Sequence, residues 1–140
     1  MFWKSVETKA FTQSSKCDPN NYIHAVEASS QPERAEAAAD ILLDLVPGAG
    51  HLVHMPSHIY WRVGRYADAS ESNIMAAAVD EAYIAACNAQ GFYPAAYYPH
   101  NIHFLWASSS MEGRSEIAIE AGEKVAKNVF VTKTWFSKLL

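Results

Sequence analysis

The sequence predicts an all-α fold, on three observations. Apolar residues recur at helical spacing, most clearly at 35, 38, 39, 42, 45 and 46. Such stretches are separated by short turn signals: Pro47-Gly-Ala-Gly50, Gly64-Arg65, Gln90-Gly91 and Glu112-Gly-Arg114. No stretch shows the alternation of a strand.

Taken in order, residues 2–16 carry one weak apolar stripe (Phe2, Trp3, Val6, Ala10, Phe11). Asp18 and Pro19 offer an N-cap followed by a first-turn proline, so a short helix is expected over 22–29. Residues 34–46 form a strongly helical, alanine-rich segment that Pro47 to Gly50 ends. The next helix spans 51–63 and contains Pro56, which lacks an amide donor and clashes with the carbonyl of Leu52. Either this helix kinks or its regular part begins at Pro56. One long helix or two follow to about Ala89; Pro94, Pro99 and three tyrosines mark 92–98 as a loop. Helices are expected over 100–111 and 115–127, and the tail 128–140 carries no clear signal.

The 140 residues fit one domain, with a core at about 20–127 and terminal segments 1–19 and 128–140. Half of the chain is hydrophobic, which argues against disorder. The net charge is −4 with no basic block, arguing against nucleic acid or an anionic membrane as partner. No apolar run reaches membrane-spanning length or resembles a signal peptide. Cys17 and Cys87 form no disulfide or CxxC pattern, so a cytoplasmic location is expected.

All six histidines fall in three blocks: His24-Ala-Val-Glu27, His51-Leu-Val-His-Met-Pro-Ser-His58, and His100-Asn-Ile-His103. At about 100° per residue, positions 51, 54 and 58 lie within roughly 60° of one another on a helix. His24/Glu27 and His100/His103 are each one turn apart and share a face.

The turns also align. Gly64-Arg-Tyr-Ala-Asp-Ala69 and Gly113-Arg-Ser-Glu-Ile-Ala118 share a frame that Ser30-Gln-Pro-Glu-Arg-Ala35 follows with serine for glycine. The first two turns are 34 residues apart and the last two 49, which places fifteen inserted residues before the third unit. A 34-residue helix–turn–helix with Gly-x-Tyr-x-x-Ala at its turn resembles the tetratricopeptide repeat family, with Ser57, Tyr60, Tyr66, Ala69 and Ala76 at its packing positions. Three departures stand out: Asn73 replaces a large apolar residue, Glu81 replaces the closing proline, and Pro56 interrupts the first helix. The strings His-Met-Pro-Ser-His-Ile-Tyr and Pro-His-Asn-Ile-His-Phe-Leu-Trp are similar to those of bacterial repeat proteins.

The resemblance implies about three helix pairs in a short right-handed solenoid, with the first helix of each pair lining a concave groove. It places His24, His51, His54, His58, His100 and His103 in that groove, with Glu27 beside them; Tyr60, Tyr97, Tyr98 and Asn101 are expected as further groove residues. Imidazoles from neighbouring helices suit a transition metal, zinc first, with iron or copper as alternatives. One grouping is His24, Glu27, His54 and His58; a second is His51, His100 and His103. Glu27 has a further option, orienting an imidazole rather than ligating. The motifs of zincins and of ferritin-like di-iron bundles are missing. Three functions follow: a metal-binding repeat domain, a hydrolytic or oxidative metalloenzyme on the same histidines, and a metal-free scaffold for a protein or peptide. Apolar residues at both ends (Phe2, Trp3 and Phe11; Phe130, Trp135, Phe136, Leu139 and Leu140) predict a homo-oligomer or part of a longer repeat protein.

Overall fold

A computed structural model describes residues 18–136, with side chains through 127. The described chain is helical throughout: α1 (Pro19–Val26), a 3₁₀ turn (Pro32–Ala35), α2 (Glu36–Leu45), α3 (Gly50–His54), α4 (Pro56–Arg62), α5 (Tyr66–Cys87), a π-helical turn (Tyr93–Tyr97), α6 (Tyr98–Glu112) and α7 (Ser115–Phe136). Neighbours in sequence pack together: α1 on α2, α3 and α4 on α5, α5 on α6, and α6 on α7. No described helix is long and apolar enough to cross a membrane. The N-terminal stripe at 2–16 and the apolar side chains expected to drive self-association lie outside the described residues.

Local chemistry explains the boundaries. Asp18 caps α1, its carboxylate accepting from the amides of Asn20 (2.8 Å) and Asn21 (3.3 Å), with Pro19 in the first turn. Gly64 (φ 81°) and Gly113 (φ 76°) take the left-handed conformation that closes the two aligned turns. Pro56 opens α4, as one of the two expected alternatives had it, and the chain keeps a helical course through the junction. Met55 keeps helical angles (φ −53°, ψ −36°), its amide bonds to His51 O, and the His58 amide reaches back to Met55 O over three residues. The backbone runs from α3, which carries His51 and His54, through Met55 into α4, which carries His58.

Two further differences from expectation have physical causes. Residues 93–97, expected as a loop because of Pro94 and Pro99, wind into the π-helical turn and lead directly into α6. Pro94 lies in the first turn of that element and Pro99 in the first turn of α6, where a missing amide costs nothing. Helix α7 runs on to Phe136, past the expected end at 127.

The first helix pair and α4 enclose a core of Ile23, Ala35, Ala38, Ala39, Leu42, Met55, Ile59 and Tyr60. Tyr60 donates to Asp40 (3.0 Å) beneath Arg65, whose guanidinium sits 4.2 Å from the ring centroid and pairs with Asp40 and Asp68. A smaller cluster of Ala77, Ile102, Leu105 and Ala121 joins α5, α6 and α7. The buried positions of α5 are small or polar (Ala69, Ser70, Ser72, Asn73, Ala76, Ala77, Asp80). They let the flanking helices approach closely, and Ser70 donates to Ser108 across the α5–α6 seam (2.9 Å).

At the start of α3, Gly50 packs against Asp80. A Cβ there would lie 1.9 Å from Asp80 Oδ1, so only glycine admits the carboxylate. Asp80 is 1% exposed and accepts from Tyr93 Oη and Asn101 Nδ2, each at 2.7 Å. Burial raises its pKa, and these two bonds oppose the rise. This network fixes the beginning of α3, which carries His51 and His54 and leads into α4 with His58.

Candidate metal centre

His54, His58 and His100 come together between α3/α4 and α6. One ring nitrogen from each lies within 4.8 Å of the others. His54 is fully buried, whereas His58 and His100 are half-buried. Phe104, one turn after His100, packs against all three rings at centroid distances of 4.9, 4.4 and 4.9 Å.

The hydrogen bonds around the cluster fix which nitrogens face inward. Asn73 donates Nδ2 to Ala69 O at 2.7 Å, so its Oδ1 is the atom turned to His54 Nδ1, also at 2.7 Å. Two acceptors do not sit at that distance, so His54 carries its proton on Nδ1. Ser57 Oγ, 3.4 Å from the same nitrogen, is the longer contact. His58 Nδ1 lies 2.6 Å from Glu27 Oε2 and donates to that carboxylate. Both rings therefore hold their protons on the outer nitrogens. Their Nε2 atoms, 2.9 Å apart, face each other with lone pairs when the rings are neutral.

Burial favours the neutral rings. It lowers His54 well below the usual imidazole range, with the Asn73 bond opposing and neighbouring imidazoles assisting. Burial and then the imidazoles of His100, His24 and His51 lower His58 to about 4. The Glu27 carboxylate beside His58 pulls the other way through its 2.6 Å contact. His100 is lowered by burial and by His51 and His103.

The remaining sequence candidates are distributed around this cluster, in neither grouping expected from sequence. His51 stacks on His54 at 6.0 Å and lies outside the group of three, its pKa lowered by burial and by His24. His24 is exposed and stacks on His51 at 6.2 Å. His103 is exposed and stacks on Trp106 at 5.3 Å. Glu27 orients His58 instead of joining the inward nitrogens. Tyr97 packs edge-on against His51 at 4.8 Å and so borders the site. Tyr60 is a core residue bonded to Asp40, not a groove residue. Tyr98 bonds to Glu81, and Asn101 is buried on Asp80. Arg62 donates to the carbonyls of Glu27 and Ser29 just beyond α1 and so steadies the segment bearing Glu27.

Asn73, Phe104 and Asp80 were not singled out as site residues from the sequence. Asn73 left a trace, as a polar residue where the repeat pattern wants a large apolar one. Phe104 follows His100 by four residues, the spacing of neighbours on one helix face. Asp80 left no comparable trace.

Comparison with protein-family models, with curated proteins and with solved structures finds no match to this chain.

Proposed function

We propose that this chain binds a transition metal ion through Nε2 of His54, Nε2 of His58 and a ring nitrogen of His100. Zinc is the first choice, because three neutral imidazoles from a rigid helical frame suit it, with iron and copper as alternatives. The observation that carries the reading is the facing pair of Nε2 atoms. Two lone pairs 2.9 Å apart repel unless a cation lies between them. With metal–nitrogen bonds of about 2.0–2.1 Å, ligands of a tetrahedral ion sit roughly 3.4 Å apart, so a small outward movement of the rings suffices. Asn73 and Glu27 supply the outer hydrogen bonds that fix tautomer and ring orientation at metal-bound histidines.

A second reading rests on the Glu27 carboxylate. A proton shared between the two Nε2 atoms would make His58 an imidazolium paired with Glu27 at 2.6 Å. The chain would then be a metal-free scaffold with a buried polar network. For the frame itself, we read the consecutive helix pairs as tetratricopeptide-like units, supported by the aligned turns with left-handed Gly64 and Gly113.

Metal analysis of protein made without a histidine tag separates the two readings. The metal reading predicts about one equivalent of zinc, retained after dialysis. It predicts loss of that metal in His54→Ala and His58→Ala and retention in His103→Ala. Failure to take up added zinc, iron or copper would leave the shared-proton reading standing.

A further inference from the structure

Three histidines leave a tetrahedral ion one ligand short. The polar groups nearby are engaged elsewhere. Glu27 and Asn73 hold the other nitrogens of the His58 and His54 rings. Phe104 covers all three rings and offers no donor atom. His24 and His103 lie outside the ligating group and are exposed.

His51 is different. Its ring stacks on His54, and its Nδ1 is buried with no hydrogen-bond partner among the described residues. Leaving a buried nitrogen unpartnered is costly, so it is retained where something else can bond it. Tyr97, edge-on to the same ring, is 36% exposed, so the His51 side of the cluster borders solvent.

We propose that the fourth coordination position takes a small exogenous donor, water or a small anion, and that His51 Nδ1 is its hydrogen-bond partner. This rests on the metal reading above. It makes the centre an exchangeable one, of the kind that lowers the pKa of a bound water and presents it to a substrate, rather than a closed structural site.

The test is azide titration of the cobalt(II)-loaded protein, followed by visible absorption. The wild-type spectrum should change saturably with azide. His51→Leu should bind cobalt but hold azide about tenfold more weakly, the worth of one hydrogen bond. His51→Asn, whose amide occupies the place of Nδ1, should recover affinity to within about threefold, whereas His51→Gln, which reaches the Nε2 place, should resemble His51→Leu. Stoichiometric cobalt with no azide response would overturn the open position. Equal azide affinity in wild type, His51→Leu and His51→Gln would overturn the role of His51. Failure of the wild-type protein to bind cobalt would instead count against the metal reading itself.

Discussion

Replacing Asn73 with leucine will weaken zinc binding by roughly 10–100-fold, the usual cost of losing an outer hydrogen bond to a ligating histidine. Leucine restores the apolar residue the repeat pattern wants, so an account based on packing alone predicts a neutral or stabilising change. The site predicts otherwise. Asn73 Oδ1 holds His54 Nδ1–H at 2.7 Å, and His54 is wholly buried, so no solvent can substitute. Without that acceptor the tautomer with Nε2–H becomes accessible, which removes the lone pair the metal needs. Asn73→Asp keeps an acceptor and should retain affinity. Glu27→Gln should have a smaller effect than Asn73→Leu, because its contact to His58 is 26% exposed on the glutamate side and open to water. Competition with a chromophoric chelator measures all three. Equal affinity in Asn73→Leu and wild type would remove Asn73 from the site.

The second large effect is loss of stability on acidification. His58 titrates near 4 when folded and near 6.5 when unfolded. Between these values the unfolded chain binds more protons, so stability is whole above pH 6.5 and falls as pH drops towards 4. The gap corresponds to at most roughly 3 kcal/mol from His58, reduced by attraction to Glu27. The buried His54 adds in the same direction. For a domain of this size that is a large share of the total. Urea midpoints at pH 7, 5.5 and 4 should decline steadily in the metal-free protein, and His58→Gln should flatten the decline. A wild-type profile already flat from pH 7 to 4 would contradict the burial of neutral histidines.

How far the sequence could lead depended on whether the deciding interactions were local. Helix pairs were legible because capping and turn residues act over a few positions: Asp18 with Pro19, Gly64 and Gly113. Pro56 was not, since local rules permit either a break or a kink. In the structure the run of helical angles through Met55 resolves it, with Met55, Ile59 and Tyr60 packed into one core. The histidine blocks were legible as shared faces, but their grouping was not. In α6 the buried positions are 101, 102, 105, 108 and 109. At about 100° per residue both His100 and His103 fall away from these positions, so rotation alone does not part them; in the structure His100 meets His54 at 4.7 Å, whereas His103 stacks on Trp106. Spacing alone joined His100 to His103; packing separates them. Glu27 was legible as a partner of His24 one turn away, yet its nearest imidazole is His58, 31 positions along the chain. Such a contact depends on how α1 seats against α4, which pattern alone does not set.

Histidine side-chain ¹⁵N spectra, recorded before and after one equivalent of zinc, test the central claim most directly. At neutral pH the metal-free protein should show neutral His54 and His58, both protonated at Nδ1 and bare at Nε2. Zinc should then shift both Nε2 signals and one nitrogen of His100, and leave His24 and His103 in place. A His54 or His58 protonated at Nε2, or zinc that perturbs the exposed histidines and leaves His54 unchanged, would contradict it.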